Sequence, residues 1–364
     1  MTIDSEDSSL APVRQLFTAA EERAVAAAED SSGLPSTTLA IYSRWWQLET
    51  WLRELAYVEL RSRDGVEWEK ALVVPAKRQQ QDSTFTHMLG ADNENPLAYL
   101  DYSQLISVIE SNWDQFAYAL VEKQSWDGRQ VDLTRVRHRI GHMRKPHQDD
   151  LGRLEQTLRD LERGTFIALA SYNRRWVPTP SEHSDAVSVG WLRGEHPTAR
   201  RLLEHADRRY EIGLSLQISC RPWSSIPEQL SHAPGILWHA DFYSRGERSI
   251  DVGSLWRENR LRAIRPLIVH LVSDSSHHVG VTFSGADQPA AISDAIGETF
   301  DAVLGASRRG TVSNADTSSE VFQRRVRAID FRVLSGTGWN IVDDGTVPIS
   351  SFGAGGGVTE SPRW

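Results

Sequence analysis

The sequence predicts an all-α N-terminal half followed by a mixed α+β C-terminal half. Up to about residue 175, apolar residues recur three and four apart in long stretches, the period of a half-buried helix. Beyond about residue 186 they alternate with a period of two, the pattern of strands. Between them VPTPSEHSD, residues 177–185, sets two prolines among small polar residues, which reads as a linker. The predicted organisation is a flexible tail over 1–10, a helical domain over 11–176, an α+β domain over 186–350 and a second flexible tail over 351–364.

Each element has a local reason. APVRQLFTAAEERAVAAAED is Ala-rich, carries proline only at its start, where a helix tolerates it, and stops at the breaker SSGLPS. A second helix is predicted from about Thr38 to Arg63, on the stripe Ile41, Trp45, Leu48, Leu52, Leu55 and Ala56. A polar connection, KRQQQDSTFTHMLGADNENP, follows. PLAYLDYSQLISVIESNWDQFAYAL reads as a third helix with Leu105, Ile106, Ile109, Trp113, Phe116 and Leu120 on one face. A loop is predicted at Trp126-Asp127-Gly128, then a fourth helix in VDLTRVRHRIGHMRK, interrupted by Pro146. The last helix of this half runs through QDDLGRLEQTLRDLERGTFIALASYNRR, with Asp149 or Asp150 suited to its N-terminus. Downstream, YEIGLSLQISC, GILWHADFYS, RPLIVHLVS, HHVGVTFSG and VRAIDFRVL read as strands, and PAAISDAIGETFDAVLGA as a helix. Residues 305–320 are polar and read as a flexible loop.

Composition narrows the class. The chain has 364 residues with 40% hydrophobic and 24% charged, ordinary globular proportions that exclude disordered, collagen-like and coiled-coil chains. No run approaches the roughly 20 apolar residues of a membrane span. The acidic, polar start MTIDSEDSSLAP lacks the form of a secretory signal, and the single Cys220 excludes an internal disulfide and any zinc site with several thiolates. A reducing cytoplasm and no membrane partner are expected. A net charge of −9 argues against a globally basic nucleic-acid coat, but permits a local basic patch.

That patch is RVRHRIGHMRK, residues 135–145. With Arg129 added, it sets Arg135, Arg137, Arg139, Arg144 and Lys145 against only Asp132. Within it Arg137, His138 and His142 follow the order Arg, polar residue, three residues, His. Three strings, RWWQLETWLRELAYVEL (44–60), YLDYSQLISVIESNWDQF (99–116) and VRHRIGHMR (136–144), give residues 36–172 a resemblance to the HEPN superfamily, in the branch found among abortive-infection proteins. His138 stands where the family motif commonly has Asn. The C-terminal half resembles nothing specific.

The resemblance implies a helical bundle that cleaves RNA without a metal or other cofactor, with Arg137, His142 and His138 as catalytic residues. It also implies a homodimer, since active family members generally pair two domains face to face. The chemistry suits the residue types. Imidazole changes charge near neutrality and can take or give a proton, and a guanidinium can hold two phosphate oxygens as charge builds. Arg135, Arg139, Arg144 and Lys145 are RNA-contact candidates, with a solvated basic face as the competing reading. Glu49 is a candidate support for Arg137 or His142, or else an i,i+4 partner of Arg53.

Other readings stay open. His138 and His142, four apart, with His147 and Asp149 following, could ligate zinc, but no Glu lies between them and the arginines would repel a dication. A non-catalytic HEPN module that dimerises and binds nucleic acid or a nucleotide is the alternative function. The expected role is a toxin or phage-defence ribonuclease, whose C-terminal domain senses a trigger or meets an antitoxin. There, His239 with Asp241, His270 with Asp274, and His277-His278 match no metal or nucleophile spacing and read as structural, and Cys220 reads as a packed thiol.

Overall fold

The computed structural model describes residues 19–33, 35–72, 76–84, 94–200, 211–244, 248–309 and 329–335. Both expected tails, residues 310–320 of the expected polar loop and residues 321–328, where the strand expected in VRAIDFRVL begins, lie outside these. The helical region comprises α1 (Ala19–Ser32), α2 (Ser36–Asp64), α3 (Ala76–Thr84), α4 (Tyr102–Ser111), the short α5 (Trp113–Phe116), α6 (Lys123–Gly141) and α7 (Asp150–Asn173). The predicted stripe of α2 is its buried face, and Trp45, Trp51 and Trp126 are at most 5% exposed. Residues 11–18 of the first predicted helix fall outside the described residues.

The third and fourth predicted helices differ from the sequence expectation. The third predicted helix divides into a 3-10 turn (Pro96–Tyr99), α4 and α5. A capping box starts α4 anew: Asp101 accepts the Gln104 amide, and the Gln104 side chain accepts the Asp101 amide. At its other end the Asn112 side chain donates to Val108 O (2.7 Å), turning the chain into α5. The fourth helix begins at Lys123 and runs through the predicted loop, because fully buried Trp126 fixes its first turns in the core.

The C-terminal region is a five-stranded mixed sheet in the order β1 (Ile212–Cys220), β2 (Ile236–Ser244), β5 (His278–Ser284), β4 (Ile268–Ser275), β7 (Val333–Ser335). Among the described strands only β4 and β7 pair in parallel. A small second sheet pairs β3 (Arg248–Ile250) with β6 (Ser307–Arg309), so residues 307–309 of the expected polar loop form a strand. Short helices α8 (Val252–Arg257) and α9 (Asn259–Ile264), and the long α10 (Pro289–Ala306), complete it.

The two faces of the large sheet are chemically different. Ile218, Trp238, Ala240, Phe242, Val279, Val281 and Phe283 meet Ile292, Ile296, Phe300 and Val303 of α10 in one apolar core. The opposite face carries Gln217, Ser219, His239, Asp241, His278, Thr282 and Ser284, all buried, and is covered by α2 and α7. The register slips between Ile268 and His270, and both Val269 and His270 meet the helical layer.

Polar contacts, not apolar ones alone, join the two regions. Glu59 of α2 is fully buried and accepts Arg221 Nε at 3.1 and 3.2 Å, with Tyr118 and Trp223 also donating to it. Arg61 pairs with Asp287 at 3.3 Å, and Tyr57 donates to Val269 O at 2.9 Å. Burial pushes the Tyr57 hydroxyl up to about 12, so it remains a donor at neutral pH. Gly65 ends α2 at φ 57°, and a Cβ there would meet the Asp287 carboxylate at 2.1 Å, so glycine is needed for both reasons. A lone Glu59 or Arg221 in such an interior would be strongly unfavourable, so each depends on the other.

Candidate functional site

The basic string lies at the C-terminal end of α6, where the helix turns toward α7. Arg144 N–H returns to Arg139 O (2.8 Å) and Met143 N–H to Ile140 O (3.2 Å), a Schellman closure. Its left-handed position is Met143, at φ 52°, not the usual glycine. The closure stops the helix at Gly141 and leaves His142 as the C-cap residue.

This geometry separates the candidate residues. His138 and His142 are both exposed, one helical turn apart, with ring centroids 6.1 Å from each other at 85°. No ring nitrogen of either is hydrogen-bonded among the described residues. Arg137 is half-buried on the side of α6 facing the start of α4, close enough to Asp101 for its charge to act on that carboxyl. The Ser103 hydroxyl, the Gln104 amide and the charges of Arg78 and Arg137 hold Asp101 below the usual carboxylate range. Tyr102, next in sequence, donates to Gln130 Oε1 at 2.7 Å and so ties the start of α4 to α6.

The remaining cations have different surroundings. Arg135, Arg144 and Lys145 are exposed, Arg135 lying 3.8 Å from Asp132. Arg139 grips Asp150, Nε on Oδ2 at 2.6 Å with Nη2 on Oδ1, and the His147 amide donates to the same carboxylate. Burial opposes the Asp150 charge, but Arg139 and this amide outweigh it and keep its pKa low. Arg139 therefore braces the α6–α7 turn. Glu49 accepts Trp45 Nε1 at 2.7 Å and Arg53 Nη2 at 2.6 Å, the i,i+4 arrangement, and no contact joins it to Arg137 or His142. A shallow, open groove of about 510 Å³ runs along α6, lined by Gln130, Val131, Thr134, Arg135 and His138. Among the described residues no three His, Cys, Asp or Glu side chains gather as a metal-ligand set. No described helix is long and apolar enough to cross a membrane.

A second grouping brings together residues that the sequence analysis read singly as structural. On the polar face of the sheet, Gln217, His239, Thr282 and His270 stand in register across β1, β2, β5 and β4. Tyr172 of α7 sets its hydroxyl 2.9 Å from both His270 Nδ1 and Thr282 Oγ1. His239 lies 3.0 Å from the same Thr282 oxygen and 2.8 Å from Ser219 Oγ. Burial, reinforced by Arg221 and Arg61, brings His270 down to about 3, and burial with Arg175, His270 and Arg221 lowers His239 well below its usual range. Both are neutral and act as hydrogen-bonding residues. One register step away, Asp241 accepts Arg175 Nη1 at 3.0 Å and lies 3.2 Å from His278 Nε2. The available signal was polar alternation within strands, H-x-D in β2 and H-x-G-x-T-x-S in β5. That period marks a face but not whether water or a helix covers it.

Compared with family models, curated proteins and solved structures, the chain matches none.

Proposed function

We propose that the chain is a metal-independent RNA endonuclease of HEPN type. It acts as a homodimer in the cytoplasm, in the role of a toxin or phage-defence effector. The observation that carries this reading is at the end of α6: two exposed, unengaged histidines one turn apart, on the same helix as Arg137. In the proposed reaction, His142 takes the proton of a ribose 2'-OH as its oxygen attacks the adjacent phosphorus. Arg137 holds the phosphoryl oxygens as negative charge accumulates. The bond to the 5'-oxygen breaks, and His138, from the same or the second copy, protonates that leaving oxygen. The products are a 2',3'-cyclic phosphate and a 5'-hydroxyl. Arg135, Arg144 and Lys145 contact flanking phosphates. Arg139 serves the fold of the turn, and Glu49 serves α2. The α+β region senses the trigger or meets an antitoxin.

The open groove lined by exposed Val131 and by His138 favours one second reading, a non-catalytic dimerising and nucleic-acid-binding module. Cleavage of total RNA in EDTA separates the two. Wild type is expected to give cyclic-phosphate ends, with His142→Ala and Arg137→Ala each slower by at least about 100-fold. Folded, dimeric wild type that binds RNA but leaves it intact would support the binding module.

A further inference from the structure

We propose that the cleft between a wide turn, Ser188–Leu192, and the start of α10 binds a small aliphatic diamine, one ammonium of which sits on the Ser293 hydroxyl and the Asp294 carboxylate. No residue of α6 lines this cleft, and it does not depend on the ribonuclease reading. Asp185 starts the turn, its Oδ1 accepting the amides of Val187 and Ser188 at 3.0 and 2.9 Å. The chain then winds as one π-helical turn, in which Arg193 N–H reaches back to Ser188 O at 3.1 Å. Trp191 ties this turn to α10, its Nε1 donating to Ser293 O at 2.9 Å. The chain doubles back with His196 N–H on Gly190 O at 2.8 Å. An open cleft of about 260 Å³ is left between the turn and α10.

Gly190 makes the room. A Cβ there would stand 2.8 Å from Ser293 Oγ and 3.2 Å from His196 Cβ, so a larger residue would fill the floor of the cleft. Ser293 lines that floor and is only 3% exposed, and its Oγ has no hydrogen-bond partner among the described residues. Its oxygen has lone pairs to offer, and a bond from a charged donor there is among the stronger kinds.

His196 decides the chemistry. Its Nδ1 accepts the Thr198 amide at 3.2 Å, so the ring proton is on Nε2, which lies 3.2 Å from Asp294 Oδ1. The ring also stacks on Trp191, with centroids 5.0 Å apart at 20°. Both nitrogens are engaged and neither serves Ser293 as a base, so the cleft binds and does not form a nucleophile. The same contact holds one Asp294 oxygen and leaves the other for a ligand, the Asp294 side chain being 77% exposed. Glu195, on the turn side, is exposed and has no cationic partner among the described residues. No lysine or arginine lines the cleft, and Arg193 is committed to Pro180 O and His183 O at 2.7 Å each. Asp294 stands past the first turn of α10, where the positive pole of the helix has faded. Two carboxylates call for two positive charges, and Ala186, Val189 and Ala290 give apolar surface to the methylenes between them. A diamine supplies both charges, whereas the lysine of a partner protein supplies one.

Titration calorimetry on the full chain at constant ionic strength tests this, with 1,4-diaminobutane, butylamine, Nα-acetyl-lysinamide and butanol as probes. Wild type is expected to bind the diamine, to bind butylamine and Nα-acetyl-lysinamide at least about threefold more weakly, and to leave butanol unbound. Ser293→Ala is expected to weaken the diamine about tenfold. Asp294→Asn keeps an acceptor for His196 but loses the charge, and Glu195→Gln loses the other charge. Each is expected to weaken the diamine at least about threefold. Glu122→Gln, which removes one carboxylate outside the cleft, is expected to bind it as wild type does. Absence of diamine binding to wild type, or an affinity unchanged in both Ser293→Ala and Asp294→Asn, overturns the proposal. Nα-acetyl-lysinamide binding as tightly as the diamine would assign the cleft to a lysine side chain of another protein and overturn it equally.

Discussion

Arg135, Arg137 and Arg139 look equivalent in the sequence, yet they end in three environments: open solvent, the neighbourhood of Asp101, and a grip on buried Asp150. A helix turns about 100° per residue, so alternate members of a basic run cannot share a face. Tertiary partners then decide which charge stays available. The i,i+4 placement of His138 and His142 was legible from the sequence. The engagement of Arg139 was not, because Asp150 lies beyond a break in the helix. The same turn sets a strain test. Met143 sits at φ 52°, where a side chain is disfavoured. Met143→Gly is therefore expected to raise stability by about 0.5–1 kcal/mol, read from the urea midpoint. A lower midpoint would show that the exposed methionine contributes more than its backbone costs.

At the scale of elements, α2, α7, α10 and strands β1, β2, β4 and β5 were readable from periodicity. The subdivision between Pro96 and Phe116 was hidden, since the apolar spacing continues through a point where Asp101 starts a new helix and Asn112 ends it. Helix spacing was also silent about how closely elements approach. Gly164 on α7 faces the Ala119 backbone so closely that a Cβ would lie 1.9 Å from its carbonyl oxygen. Gly164→Ala must therefore push α7 away from the segment after α5. The expected loss is roughly 2–4 kcal/mol in urea unfolding, although alanine is the better helix former by about 1 kcal/mol. A neutral or stabilising effect would refute this contact.

At the scale of the molecule, the contrast between helical and α+β halves was legible, whereas their buried polar interface was not. Residues such as Glu59 and Arg221 carry no local sign that they will meet. This layer gives the protein an acid weakness. His239 and His270 are neutral when folded, but take up protons when unfolded below about pH 6.5. The unfolded chain binds more protons in that range, so stability falls as pH drops from about 6.5 toward 3, the region to which His270 is depressed. The expected loss is up to about 1.4 kcal/mol per pH unit for each histidine, measured by urea unfolding at successive pH values. His270→Gln is expected to flatten the slope, and a wild-type stability unchanged from pH 7 to 5 would contradict buried, neutral histidines.

The Glu59–Arg221 pair spans 162 residues of chain. During synthesis α2 emerges first, with its carboxylate still in water and without the cation it will later need. The helical region therefore cannot lock into its final packing until the ribosome has delivered β1 and the turn after it. A nascent chain arrested before residue 221 would carry the α6 histidines on an unlocked scaffold, so assembly of the proposed nuclease is timed by translation of the region beyond it.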